Sequence, residues 1–207
     1  MLRKGSSLAP VNGAAQAERR ARTTTALLEA AARGLSRDGY ANLSLERVAH
    51  EAGYSRGALY HLFDGKEDLA LAVVSWVDAT WSEEVGHLLA NDDDPVATLV
   101  AAARGHAIFC RRDIARVMLV LRVEFAGRDH PVGAAVEQVA RKIFAACARL
   151  ITAGRRDGSI PPGPPARVLA LGYLGALEGL VIHLSRKAPF DVQLAERLVR
   201  GLLGVAS

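Results

Sequence analysis

The stretch from Leu43 to Leu69 constrains this chain more than any other. Leu45, Val48, Ala49 and Ala52 fall at i, i+3, i+4 and i+7, the apolar stripe of one short helix. Ser44 stands just ahead of the stripe, where its hydroxyl can accept from a free backbone N–H. Gly53 follows, and glycine enters the left-handed conformation without steric cost, so the helix stops and the chain turns. Ser55 then offers a second N-cap, opening a helix whose inward residues are Leu59, Leu62 and, in part, Ala58. Two short helices around a Gly-containing turn predict a helix-turn-helix, whose second helix enters the DNA major groove.

The outer face of that second helix offers Ser55, Arg56, Gly57, Ala58, Tyr60 and His61. Arg56 is the one long fork of donors among them and suits bidentate pairing with guanine O6 and N7, worth ~1–3 kcal/mol of discrimination. Gly57 lets backbone approach the groove, and Ala58 suits a thymine methyl. Tyr60 and Lys66 suit phosphates, which set register without reading sequence. Lys66 also stands at a helix start, where backbone N–H groups favour an anion. Ser44 and Arg47 open the preceding helix and are placed for similar backbone contacts.

From Ala26 to Val74 the chain resembles the DNA-binding domain of the tetracycline-repressor (TetR) family of bacterial transcription regulators. The resemblance rests on an ordered set: Ala30-Ala31, Gly39-Tyr40, Leu43-Ser44-Leu45, Val48-Ala49, Ala52-Gly53-Tyr54-Ser55, Gly57-Ala58-Leu59-Tyr60, Phe63, Lys66-Glu67 and Leu69. One position departs from it. The family often places a histidine just before the aromatic at Phe63; here that residue is Leu62, and His61 stands one place earlier. The resemblance therefore implies phosphate contacts for Tyr60 and Lys66 more firmly than for His61. It also implies a homodimeric, cytoplasmic repressor, released from a palindromic double-stranded DNA operator by a small hydrophobic ligand held between helices.

Charge is placed in keeping with this. Residues 1–60 hold nine basic against five acidic side chains and so carry the whole net charge of +4, while the remainder balances. A basic N-terminal quarter on a neutral body suits a polyanion bound at one end. Cys110 and Cys147 are far apart inside helical patterns and are expected as buried thiols of a reducing compartment. With 207 residues the chain buries roughly 70% of its unfolded surface and needs neither disulfide nor metal. Met1 to Val11 lacks the apolar segment of a signal peptide. Val168 to Leu184 is the longest apolar run, but Glu178 and His183 interrupt it, so it is expected as a buried helix and not a membrane span.

Taken in order, Met1 to Ala17 is small and polar and is expected to be a disordered arm (1–17), either passive or bringing Arg3 and Lys4, with Arg19, Arg20 and Arg22 behind them, to phosphates. A helix from Glu18 to Arg37 and the helix-turn-helix make a DNA-binding domain over 18–66. Lys66 to Ala90 reads as one long helix with Leu69, Val73, Trp76 and Val77 on one side. Asn91-Asp92-Asp93-Asp94-Pro95 marks a stop and restart, acidic residues and then proline opening the next helix. Helical stretches follow at 95–110, 113–126, 132–156, 165–187 and 191–204, forming a second domain over 67–207. The fold class is all-α, about nine helices: an N-terminal three-helix domain and a larger ligand-binding and dimerisation bundle.

A single reading head grips little DNA, and helix-turn-helix proteins generally dimerise to reach two successive grooves. Small residues Gly172, Gly175, Ala176 and Gly179 line one side of the 165–187 helix, and Leu194, Leu198 and Leu202 stripe the last helix. These are the candidate dimer interface, which the resemblance implies is a four-helix bundle; the glycines equally suit an intrachain neighbour. No histidine or cysteine spacing suggests a metal site, and no constellation suggests an enzyme or a cofactor. The cavity implied by the resemblance has polar or aromatic candidates in Trp76, His106, Phe109, Met118, Arg122, Phe144, Glu178 and His183. Glu178, inside an otherwise apolar run, needs a partner if buried, and Arg122 or His183 would serve. Two alternatives remain at this level: a DNA-binding regulator without a small-molecule effector, and a helical protein whose helix-turn-helix is purely structural.

Overall fold

A computed structural model describes residues 11–91, 93–184 and 187–206. Among these residues the fold is all-α, with nine helices and no strand. The first, α1 (Val11–Asp38), begins earlier than expected, so residues 11–17 are helix and not a disordered arm. Ala14, Ala15, Gln16, Ala17 and Glu18 are all strong helix formers, which outweighs their polarity. Arg3 and Lys4 lie outside the described residues. From Gly13 to Arg22 the helix is exposed on every side; Leu27, Leu28, Ala31 and Leu35 then bury its second half.

Next come α2 (Leu45–Glu51) and α3 (Arg56–Tyr60), then α4 (Lys66–Glu84). The single helix expected from Lys66 to Ala90 is broken: α4 ends at Glu84, and Gly86–Ala90 forms a 3-10 turn. Val85 leaves the helical region (φ −131°) to bury its side chain. Gly86 lies flat on the Trp81 ring, where a Cβ would come within 3.0 Å of the indole.

Asp94 caps α5 (Pro95–Phe109) by accepting from the Ala97 N–H at 2.9 Å, with Pro95 in the first turn, as the Asp-Pro signal predicts. The expected 113–126 helix divides into a 3-10 turn (Asp113–Arg116) and α6 (Val117–Glu124). The long α7 (Pro131–Asp157) ends at Gly158, which is left-handed (φ 84°), and α8 (Ala166–Leu184) and α9 (Phe190–Leu203) complete the bundle. Helix α9 packs on α5 and α8, α7 on α8 and α4, and α4 on α1, so α4 links α1 to the later helices.

By length and composition α8 is apolar enough to cross a membrane. Leu169, Ala170, Tyr173, Leu177 and Leu180 sink one face of it into the core. It is not the fully buried helix expected, because Val168, Leu171 and Ile182 on the other face are exposed.

Candidate nucleic-acid interface and ligand cavity

Two serines build the reading head. Ser44 accepts from the Arg47 N–H at 3.3 Å and Ser55 from the Ala58 N–H at 3.2 Å, so each short helix starts on a side-chain cap. Between them Gly53 is left-handed (φ 77°). Leu59 and Phe63 are buried and Leu62 half-buried, which leaves Ser55, Arg56, Gly57, Tyr60 and His61 exposed on α3. Ala58 is half-buried, turned partly into the protein as its place on the helix predicts. Arg56 and Tyr60 stand one turn apart: Nη2 donates to the phenol at 3.4 Å, and the guanidinium lies 5.4 Å from the ring centroid. Around Gly57 a Cβ would meet nothing nearer than Ser55 Oγ at 3.8 Å, so that side of the helix is open.

Arg47 and Lys66 are engaged within the chain. Arg47 pairs with Asp38 and lies 3.8 Å from Glu51, which Arg37 also holds at 3.1 Å. This network braces the end of α1 against α2. Lys66 donates to the Ala41 carbonyl at 2.7 Å, with its ammonium 5.0 Å from the Tyr40 ring centroid. An ammonium carries three N–H donors, so two remain for other acceptors.

Helices α4, α5, α6, α7 and α8 surround a cavity of about 140 Å³. His106, Phe109, Met118, Arg122 and Glu178 line it, as anticipated. Three other candidates do not: Trp76 lies off the Val77–Trp81 face of α4, Phe144 lies beneath the Arg167 guanidinium on the outer side of α7, and His183 is exposed near the end of α8. Trp81, Tyr173 and Cys147 take their places. The period would have found them, since Val73, Val77 and Trp81 recur every four residues and Tyr173 lies midway between Leu169 and Leu177.

Within the cavity the polar groups are paired off by the protein. Trp81 Nε1 donates to His106 Nδ1 at 3.1 Å, and Cys110 Sγ lies 3.4 Å from His106 Nε2. An indole only donates, so Nδ1 is the acceptor and the neutral ring carries its proton on Nε2, aimed at the sulfur. Burial pushes the His106 pKa down to about 4 and the Cys110 and Cys147 thiols up to about 12. The Tyr173 hydroxyl donates to the Leu99 carbonyl at 2.8 Å. At the mouth Arg122 pairs with Glu178 and lies 3.6 Å from Glu137. Glu178 is not the buried carboxylate expected; its side chain is 39% exposed, and its partner is Arg122 and not His183.

Residues 27–73 match the family model for bacterial regulatory proteins of the tetR family. That stretch of the chain is a tetR-family DNA-binding domain. No curated protein matches the chain at the level of sequence. Solved structures extend the likeness of fold along nearly the whole chain. AibR in complex with isovaleryl coenzyme A and operator DNA superposes with a TM-score of 0.76 at 21% identity, over 89% of this chain and 100% of that one. MbdR from Azoarcus sp. CIB gives 0.75 at 20% identity, over 89% and 99%. The fatty acid degradation regulator FadR from Bacillus halodurans gives 0.70 at 18%, over 88% and 99%.

Within this fold one residue that sequence reasoning passed over joins α6 to the loop between α1 and α2. Glu124, the last residue of α6, accepts from the backbone N–H groups of Tyr40 at 2.6 Å and Ala41 at 2.7 Å. Gly39 makes room for it: its φ is 75°, and a Cβ there would lie 2.8 Å from Glu124 Oε2. Phe125 and His130 meet the Tyr40 ring edge-on at 5.1 Å, and His130 Nε2 lies 3.6 Å from Glu67. The α1–α2 loop is thus held by the far end of the helix whose Arg122 closes the cavity.

Proposed function

We propose that the protein is a homodimeric repressor released from a palindromic operator by a small hydrophobic ligand. The observation that carries the DNA-binding half is the outer face of α3, where two donors one turn apart stand exposed beside an open glycine on a helix pinned from behind by Leu59. Arg56 reads a base, and Tyr60, Lys66 and the N-terminal half of α1 with Arg19, Arg20 and Arg22 hold phosphates. Ser44, Ser55 and Arg47 act mainly by fixing the two helices. Titration of an operator fragment at increasing salt tests this: phosphate contacts require log K to fall steeply and linearly with log[salt], and a flat response rejects DNA as the partner.

The ligand-responsive half is supported by α6. Met118, Leu119 and Arg122 line the cavity, while Glu124 two residues on holds the loop that leads into α2. A ligand that favours another setting of α6 carries Glu124, Tyr40 and Ala41 with it, and lowers operator affinity by its preference for that state. AibR, of the same fold, is seen with both operator DNA and an acyl thioester. The homodimer is supported by the apolar surface that α8 and α9 leave bare: Val168, Leu171 and Ile182 on one, Phe190, Leu194 and Leu198 on the other. Gly175 and Gly179 have no neighbour a Cβ would touch, so a second α8 can approach there; Gly172 already meets Leu202 within the chain. Half-buried Ala176 and Leu202 sit at the margin of this surface.

A further inference from the structure

The chemistry of the cavity narrows the ligand. This inference rests on the ligand-responsive reading above, and its test is arranged so that the two fail separately. Among the lining residues no side-chain N–H or O–H inside the cavity is left without an acceptor: Trp81 donates to His106, His106 faces Cys110, and Tyr173 donates to the Leu99 carbonyl. An oxygen or nitrogen acceptor buried there loses its water and finds no donor, so the part of a ligand that enters is hydrocarbon. At about 140 Å³ the cavity is close in size to an apolar cavity of ~150 Å³ that takes up benzene, so it accommodates about six carbons.

Arg122 is the donor at the mouth, and its surroundings select the head group. Glu178 occupies Nη1 and Glu137 lies beside Nε, so the three side chains together carry one negative charge. A free carboxylate is repelled there and has to displace Glu178. A neutral carbonyl is not repelled and takes an N–H left over on Nη2, because a guanidinium has five donors. We infer that the effector is an acyl group of up to about six carbons in neutral linkage, a thioester or ester, with its hydrocarbon in the cavity and its carbonyl on Arg122.

The test measures binding to the DNA-free protein by calorimetry and release of an operator fragment separately. The probes are N-acetylcysteamine thioesters of straight, branched and ω-hydroxy acids from two to ten carbons, the matching coenzyme A thioesters, the free acids and the S-alkyl thioethers, which lack the carbonyl. The expected outcome is a rise in affinity of about three- to fourfold per methylene, ending near six carbons. Free acid and thioether of the best length bind at least about tenfold more weakly than the thioester, and an ω-hydroxy chain loses a similar factor. Equal affinity for the N-acetylcysteamine and coenzyme A forms assigns recognition to the acyl carbonyl; a requirement for coenzyme A itself overturns that assignment. Ala102→Leu, which fills the wall, shortens the best chain by about two carbons, and Arg122→Ala removes the preference for thioester over thioether, effects that general loss of fold does not produce. Equal or tighter binding of the free acid, the thioether or the ω-hydroxy chain overturns the inference. Binding of thioesters without release of DNA leaves the ligand class standing and rejects the repressor mechanism.

Discussion

At the scale of single residues, Arg56 and Lys66 differ in what they can contribute to DNA binding. Arg56 is exposed on the outer face of α3, and exchanging its bond to the Tyr60 hydroxyl for a base edge costs little. Arg56→Ala is expected to lose ~1–3 kcal/mol at one position of the operator and little elsewhere, measured by binding to a set of singly substituted operators. Lys66→Ala is expected to weaken all sequences alike; matching losses in the two variants would show that Arg56 reads no base. His106 makes a separate prediction about pH. Its folded pKa of about 4 lies below the ordinary 6.5, so between those values the unfolded chain binds the extra proton and stability falls as pH falls. The full loss is about 3 kcal/mol, complete near pH 4 and absent above pH 6.5. His106→Gln is expected to flatten that part of the stability curve; an unchanged acid limb in denaturant titrations at pH 4.5 and 7 would place the loss elsewhere.

At the scale of elements, α2 and α3 are too short to be stable on their own and depend on their caps and on Leu59. Ser55→Ala is expected to cost ~1 kcal/mol, seen as a lower unfolding midpoint with α3 exchanging its amide protons faster than α7. The loop between α1 and α2 depends on α6. Glu124→Ala leaves the N–H groups of Tyr40 and Ala41 without their acceptor and is expected to cost about 2 kcal/mol. Glu124→Gln, which keeps one acceptor oxygen, recovers part of it. If both variants bind operator and respond to ligand as the parent does, α6 does not carry the signal. The break after Glu84 belongs to this scale too: by turning the chain at Val85 and Gly86 it closes one end of the cavity with Leu89 and sets Trp81 in its wall.

At the scale of the whole molecule, the basic quarter, the cavity and the bare α8–α9 face occupy separate regions joined by α4 and α6. Exposed apolar side chains gathered on two adjacent helices have the character of an interface. Leu171→Arg with Leu198→Arg is expected to give a folded monomer in sedimentation that binds a palindrome no better than a half-site. A dimer surviving this pair would move the interface off α8 and α9. The Arg111–Asp191 pair (2.8 and 2.9 Å) ties the end of α5 to the start of α9 and holds the carboxyl below the usual carboxylate range. Its contribution is therefore present above the unfolded pKa and is lost as pH falls through the folded one, weakening this face in acid.

The amino-acid order alone determined what is local. Caps at Ser44, Ser55 and Asp94, the turn at Gly53 and the stripe from Leu45 to Ala52 lie within a few residues of what they act on, so the α2–α3 head and the all-α class were legible. Helical periodicity tells which side of a helix turns inward but not which neighbour it meets. Only the tertiary structure decided that Glu124 clasps a loop more than eighty residues away, and that Glu178 rests on Arg122 at an open mouth. It likewise decided that half of an apolar helix is left bare. Those outcomes depend on how distant helices dock, which packing settles across the whole chain at once.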